Sequence, residues 1–370
     1  MQTNAQTPAL PWTLSAPTQA ALRQRARQLR DFVVSGDPNP ADLGLSLATR
    51  EPAGEYRAVI VGRTAEELLA GLEVLAEGGT ASNVVQGRAA DWRPGGTVFV
   101  YPGQGGQWTS MAKALSAESP SFRRTLEECA EALEPYTDWS LLDVLDEVPG
   151  AVDIDRSDVV VVCLFAVMVA LTELWRSHGI EPDAVTGHSL GEMPAAAVVG
   201  GLTLKDAARV TVIWGREYEK IDGRGTMAAV ALSAAETERR LAGRTGLGLA
   251  AINGPKSVVV TGETDAVTEL VAELRAERVA AMRIPVNVAA HSPHVDELRE
   301  GIISGLDGIA PWSSPIPFYS SVAGGRKDTA GVGAGYWFLN LRETVRFEQA
   351  VNELVADGHH TFVEIGPHPV

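Results

Sequence analysis

Residues 184–199 read AVTGHSLGEMPAAAVV, a short apolar strand, a turn flanked by glycines and an alanine-rich helix. The turn, Gly187 to Gly191, matches the pattern G-x-S-x-G in the strand–turn–helix context of a nucleophile elbow. Gly187 and Gly191 lack the β-carbons that would clash in so tight a turn. The pattern therefore predicts that the Ser189 hydroxyl stands clear of the sheet as a nucleophile.

A serine nucleophile needs donors for the oxyanion that forms on its substrate. The backbone N–H of Leu190 lies at the start of the helix and is the first candidate. A second is expected from a loop after a neighbouring strand, and the loop PGQGGQ at 102–107, directly after the strand TVFVY at 97–101, suits that role. The glycines of this loop also suggest a phosphate-binding loop, but the GK[ST] ending is missing.

The nucleophile also needs a base. The chain has seven histidines, at positions 178, 188, 291, 294, 359, 360 and 368. His291, in VNVAAHSPHVDEL, stands out by its place in the chain, although a lone histidine is more often structural than catalytic. From the residues alone its role stays open.

The wider pattern predicts an α/β protein in three parts. Residues 1–93 form a small α/β packing domain. Residues 94–225 and 289–370 alternate strands with helices, as in a parallel sheet of the α/β-hydrolase type. Residues 226–288 follow the order β-α-β-β-α-β of a ferredoxin-like subdomain, inserted into the larger one.

Composition excludes several classes of function. A net charge of −16 disfavours sequence-independent binding to nucleic acid. The longest apolar run, Val159 to Leu171, is shorter than the roughly 20 residues of a membrane span and predicts a buried helix. The N-terminus does not resemble a signal peptide, Cys129 and Cys163 cannot form a disulfide framework, and no Cys/His set has metal-ligand spacing. We expect a cytoplasmic protein without a metal or bound cofactor.

Seven motifs in order carry a family resemblance. They are FVYPGQGGQW, GHSLGE, AINGPKSVVVTG, HSPHVDEL, PFYSSVAGG, YWFLNLRETVRF and FVEIGPHP. Over about 97–370 the chain resembles the acyltransferase domains of modular type I polyketide synthases, which are related to malonyl-CoA:acyl carrier protein transacylases. Residues 1–93, with PWTLSA and LATREPAGEYRAVIVG, resemble the linker domain that precedes them.

The resemblance implies a site and a reaction. Ser189 would be the nucleophile and His291 the general base, with oxyanion-hole N–H groups from Gln104 and Leu190. Asn253 and the main-chain carbonyl of Arg346 would orient the histidine. The substrate would be an acyl-CoA, and the acceptor would be the phosphopantetheine thiol of an acyl carrier protein, expected in the same polypeptide.

The chain departs from the family where the acyl group binds. Family members that take a dicarboxylic acyl group hold its free carboxylate with an arginine 25 residues after the nucleophile, and here that position is Trp214. Arg216, two residues on along a helix, would point about 200° away. The tetrapeptide ending in the histidine is Val288-Ala289-Ala290-His291, and Val161 with Val162 replaces a Gln-Pro pair. The resemblance is therefore closest to a loading-module acyltransferase for short monocarboxylic acyl groups, such as propionyl, isobutyryl and 2-methylbutyryl.

Three alternatives remain at this stage. One is a malonyl or methylmalonyl extender-unit acyltransferase. A second is a serine hydrolase or thioesterase. Such an enzyme would need an acidic residue between the serine and a histidine late in the chain, and an oxyanion loop of the HGGG type, whereas Asp296 follows His291 here. A third is a docking module without catalysis. Because the sequence ends at FVEIGPHPV, where a linker toward a carrier protein would begin, we expect the chain to be a piece of a multidomain enzyme.

Overall fold

A computed structural model describes residues 9–50, 54–89 and 95–369. The chain divides into two compact units between residues 94 and 95, next to the predicted boundary after residue 93. The first unit contains β1 (Leu10–Ala16), α1 (Gln19–Gly36), α2 (Pro40–Arg50), β2 (Tyr56–Gly62), α3 (Ala65–Glu77) and β3 (Val84–Arg88). Its strands form an antiparallel sheet in the order β1-β2-β3.

Local sequence signals set the ends of the elements in the first unit. The Thr64 side chain accepts a hydrogen bond from the Glu67 N–H at 3.2 Å and so caps the start of α3. Gly78 ends the same helix with φ +78, a left-handed conformation that suits glycine. Apolar side chains from the strands and helices of this unit meet in one core that includes Trp12, Ile60 and Leu72, each 0 % exposed.

The second unit begins with alternating strands and helices. They are β4 (Gly96–Tyr101), α4 (Lys113–Glu118), α5 (Pro120–Leu133), α6 (Leu141–Leu145), α7 (Ser157–Ser177), β5 (Ala184–Gly187), a 3-10 turn at Ser189–Gly191, α8 (Glu192–Val198) and α9 (Leu204–Glu219). Helix α7 is long and apolar enough to cross a membrane, but 78 % of its most apolar window is buried inside the protein. It packs against α5 and α9 as a core helix.

The inserted subdomain follows as β6 (Thr226–Val230), α10 (Ala234–Leu241), β7 (Leu247–Gly254), β8 (Ser257–Gly262), α11 (Thr264–Ala276) and β9 (Ala281–Ile284). Its four strands are antiparallel in the order β7-β8-β6-β9. This order, with both helices as crossovers, is the ferredoxin-like arrangement that the sequence predicted. The chain enters and leaves the subdomain at one place, because Arg224 and Val288 form a β-bridge.

The chain then completes the large sheet. The last elements are α12 (Arg299–Gly305), β10 (Phe318–Ser320), β11 (Gly325–Lys327), α13 (Ala334–Arg342), α14 (Phe347–Ala356) and β12 (His359–Glu364). The sheet order is β11-β10-β5-β4-β12, parallel except for the edge strand β11. Strand β5 is central, so the turn that follows it opens at the carboxyl edge of a parallel sheet, where α/β proteins place their sites. The predicted α/β class with a parallel sheet is confirmed.

Candidate active site

The turn after β5 has the geometry of a nucleophile elbow. Ser189 has φ +54, a left-handed conformation that costs a non-glycine residue about 1–2 kcal/mol. A β-carbon on Gly187 would lie 2.3 Å from the Glu192 nitrogen, and one on Gly191 would lie 2.1 Å from the Tyr101 carbonyl oxygen. Both glycines are therefore required by close backbone approach, as the sequence pattern predicted.

Ser189 and His291 come together across 102 residues of sequence. The Ser189 Oγ lies 2.9 Å from the His291 Nε2. The His291 Nδ1 lies 2.8 Å from the carbonyl oxygen of Glu343, which can only accept, so this nitrogen carries the proton. Nε2 is then the unprotonated nitrogen, and it faces the serine hydroxyl. This pair can remove a proton from Ser189 without a buried aspartate.

Two predicted partners of His291 are wrong. The Arg346 carbonyl is not the partner of the imidazole; it lies at the start of α14 and accepts the Ala350 N–H at 3.2 Å. The carbonyl of Glu343, three residues earlier, takes its place. Asn253, at the end of β7, instead contacts His188, the residue before the nucleophile. Its Oδ1 lies 2.9 Å from the His188 Nε2.

The predicted oxyanion loop lies against the elbow. The β-carbon that Gly191 lacks would also lie 2.6 Å from the Pro102 carbonyl oxygen, and a β-carbon on Gly103 would lie 3.0 Å from the His188 Nδ1. The loop is held in shape by a hydrogen bond from the Gly105 N–H to the Gln107 side chain at 2.8 Å. The structure thus brings the loop of Gln104 beside Leu190, and their oxyanion role stays a prediction.

The residues predicted to contact the acyl group are buried and apolar. Trp214 is 3 % exposed and stacks on Tyr218 with ring centroids 5.1 Å apart. The residues of the predicted acyl pocket besides Trp214 are at most 4 % exposed: Val161, Val288, Ala289 and Ala290. Arg216 is exposed and donates a hydrogen bond to the Tyr136 carbonyl, so it does not replace a pocket arginine.

Buried charge in the described part of the chain is acidic. Its buried Asp, Glu and His residues are Asp158, Glu192, Glu217 and His291, and no Lys or Arg is buried in these ranges. Within the same residues, no group of three or more His, Cys, Asp or Glu side chains could hold a metal ion. Both cysteines are buried, and burial raises the pKa of the Cys129 thiol to about 12, which makes it a poor nucleophile.

The comparisons with known proteins agree on one family. A family model described as "Acyl transferase domain" matches residues 98–370. The polyketide synthase GfsB of Streptomyces halstedii is 47% identical over 367 residues, which are 97% of this chain. This chain belongs to the acyltransferase domains of modular type I polyketide synthases. It spans only 7% of the length of GfsB.

Solved structures place this acyltransferase domain among the same proteins. The acyltransferase domain from module 8 of the salinomycin polyketide synthase has 44% sequence identity and a TM-score of 0.92, covering 98% of this chain and 86% of that one. A loading acyltransferase from the avermectin modular polyketide synthase has 48% identity and a TM-score of 0.72, covering 74% of this chain and 88% of that one. The predicted family and the acyltransferase activity are confirmed.

Sequence reasoning missed a polar cluster beneath the elbow of this acyltransferase domain. The Glu192 carboxylate is 0 % exposed and accepts hydrogen bonds from Ser321, Tyr336 and Asn340. The Asn340 Nδ2 also lies 3.0 Å from the carbonyl oxygen of Ser189. The signal was available, because Glu192 ends GHSLGE, Ser321 lies in PFYSSVAGG and the other two partners lie in YWFLNLRETVRF, but only tertiary contacts join them.

The acidic limb of the pH profile follows from the environment of His291. Burial lowers the pKa of this imidazole to about 4, against 6.5 in solution, and the Glu343 carbonyl offsets this only in part. The base must be neutral, so activity is kept above the pKa and lost as the pH falls through it. We expect the second-order rate constant for acylation of this acyltransferase domain to stay flat from about pH 8 down to about pH 5.5, by stopped-flow release of CoA. An inflection near 6.5 would contradict this.

Proposed function

We propose that this acyltransferase domain loads a starter unit. It would take a short monocarboxylic acyl group, branched chains included, from acyl-CoA onto Ser189 and pass it to the phosphopantetheine thiol of an acyl carrier protein. The carrier would belong to the same polypeptide, because related synthases are many times longer than this chain. No cofactor of the domain's own takes part in this scheme.

One observation carries the proposal: Trp214 stands where the family's dicarboxylate-binding arginine is expected. Its indole is buried in the large subdomain and offers apolar surface without a positive charge. A carboxylate moved into such a site without a partner costs several kcal/mol. No Lys or Arg of the described residues is fully buried, and Arg216 is exposed and bonded to the Tyr136 carbonyl, which supports a pocket without a positive charge. A malonyl or methylmalonyl group would therefore bind poorly, and a neutral chain well.

The neighbouring positions support the same acyl class. Val288, Ala289 and Ala290 are small and apolar, and they precede the base directly. Such a surface suits an aliphatic chain. Two acyl groups that differ by one methylene would differ in binding free energy by only about 1–3 kcal/mol. Among the similar solved structures, one is described as a loading acyltransferase, from the avermectin synthase. We expect selection against charge and loose selection for chain length.

In the first half-reaction the Ser189 Oγ attacks the thioester carbonyl carbon of acyl-CoA, and the His291 Nε2 takes the hydroxyl proton. The 2.9 Å separation between these atoms suits that transfer. The oxyanion would be stabilised by the N–H groups of Leu190 and Gln104. As the carbon–sulfur bond breaks, the CoA thiolate leaves with the proton from His291, and an acyl ester remains on Ser189.

The second half-reaction runs the same steps in reverse with a different thiol. His291 takes the proton from the phosphopantetheine sulfhydryl, and the thiolate attacks the ester carbon. The ester oxygen leaves as the Ser189 hydroxyl after receiving that proton. Each step uses one base with a fixed tautomer, because the Glu343 carbonyl keeps the proton on the Nδ1 of His291.

A panel of acyl-CoA thioesters tests the proposal. We expect propionyl-, isobutyryl- and 2-methylbutyryl-CoA to acylate the domain about a hundredfold faster than malonyl- or methylmalonyl-CoA, because only the latter carry a free carboxylate. Intact-mass spectrometry of the domain, sampled over seconds, gives each rate. Faster loading of malonyl-CoA would overturn the starter-unit assignment in favour of the extender-unit alternative.

A further inference from the structure

We propose that Asn340 is a positioning residue that holds the backbone of Ser189 in register with His291, and that Glu192 anchors it. This inference rests on acyl transfer by Ser189 and His291, and it is independent of the choice of acyl group. Asn340 is 1 % exposed and lies in the last turns of α13. It contacts the nucleophile through the main chain, at the Ser189 carbonyl oxygen.

The end of α13 touches both members of the catalytic pair. The Asn340 Nδ2 donates to the Ser189 carbonyl oxygen at 3.0 Å. The next residue, Leu341, accepts the backbone N–H of His291 at 2.9 Å, and Glu343 accepts its Nδ1–H at 2.8 Å. One short segment, residues 340–343, therefore fixes the nucleophile and the base relative to each other.

Both catalytic residues need this support, because both have left-handed backbones. Ser189 has φ +54 and His291 has φ +55. Non-glycine residues keep this conformation only where surrounding contacts impose it. The Leu341 carbonyl supplies such a contact for His291, and the Asn340 amide supplies it for Ser189. Loss of the amide would let the Ser189 peptide rotate and carry the hydroxyl away from Nε2.

The Glu192 carboxylate fixes the orientation of the amide. Asn340 Nδ2 lies 3.2 Å from Glu192 Oε2, and a carboxylate and a carbonyl both accept only, so the amino group of Asn340 must face them. Glu192 is in turn held by Ser321, Val322 and Tyr336. These contacts come from the end of β10 and from α13, so the anchor is tied to the sheet as well as to the helix.

An Asn340→Leu variant tests the inference, with Thr172→Val as the matched control. Thr172 makes a buried hydrogen bond to Tyr101 at 2.9 Å, also in the large subdomain, and its loss should lower stability without touching Ser189. The first readout is kcat and KM for propionyl-CoA. The second is the rate constant for labelling of Ser189 by a fluorophosphonate, in which the serine oxygen forms a bond to phosphorus and fluoride leaves.

We expect Asn340→Leu to lower kcat and the labelling rate constant by about 10–100-fold, since about 1 Å of misplacement can cost that much. The KM for propionyl-CoA should stay within about twofold, and Thr172→Val should keep its rates. A labelling rate constant does not depend on the fraction of protein that is folded. If the leucine variant does not fold, Asn340→Ser, whose hydroxyl is too short to reach Ser189, should show the same loss.

A labelling rate within about threefold of wild type in either Asn340 variant would overturn the inference, and so would an equal loss in Thr172→Val. Failure of the starter-unit proposal would look different. The fluorophosphonate carries no acyl chain, so its rate would still fall in the Asn340 variants even if malonyl-CoA were the better substrate.

Discussion

A Ser189→Ala variant is expected to lose acyl-enzyme formation by at least about 10⁴-fold. The hydroxyl is the atom that bonds to the acyl carbon, and within the elbow its Oγ is the group that faces the unprotonated nitrogen of His291. Removing a serine nucleophile from such a pair typically costs this much or more. Intact-mass spectrometry after exposure to propionyl-CoA measures the loss. Ser177→Ala, an exposed serine on α7, is the control and should load normally.

The same assay separates the other classes of function. A docking module without catalysis would form no acyl-enzyme even as wild type, and Ser189→Ala would then change nothing. A hydrolase would form the ester but lose it to water within a turnover time. We expect the wild-type ester to survive in the absence of thiol and to disappear when a phosphopantetheine thiol is added.

A Trp214→Arg variant is expected to raise the ratio of malonyl to propionyl loading by about a hundredfold. The guanidinium would give the free carboxylate of malonyl-CoA a bidentate partner, and a buried carboxylate with such a partner avoids a cost of several kcal/mol. The two rates are measured by competition between the thioesters and mass detection on Ser189. Because Trp214 is 3 % exposed and stacked on Tyr218, the variant should also be less stable, which thermal unfolding will show.

Two controls make the Trp214 experiment decisive. Trp214→Leu removes the indole without adding charge and should keep the preference for neutral chains. Arg216→Leu removes the neighbouring cation, which is exposed and bonded to the Tyr136 carbonyl, and should leave the ratio unchanged. A Trp214→Arg variant that folds and gains no malonyl loading would contradict the electrostatic account.

Much of the fold follows from local patterns. The elbow, the α/β alternation and the β-α-β-β-α-β order of 226–288 follow from strand and helix periodicity and from glycine positions, and the structure has these elements in the predicted order. The strand β1, with Pro11 in it, gave no clear signal, since proline weakens a strand pattern. Its place at the edge of the antiparallel sheet explains why the proline is tolerated.

Partners made by the main chain could not be predicted in this way. Every residue carries a carbonyl, so nothing in the sequence distinguishes Glu343 from Arg346 as the acceptor for His291. In the folded chain the Glu343 carbonyl lies at the imidazole, whereas the Arg346 carbonyl lies in the first turn of α14 and accepts the Ala350 N–H. Likewise, Asn253 reaches His188 and not His291 because of where the end of β7 meets the elbow.

The sequence by itself determined the nucleophile and its turn, because the glycines and serine of an elbow are neighbours along the chain and their steric needs are local. It also determined the missing positive charge at position 214. Only the tertiary structure decided which carbonyl orients the base, which carbonyl Arg216 contacts, and that α13 joins Ser189 to His291. Those contacts link residues far apart in sequence, and they depend on how the helices and the two subdomains pack.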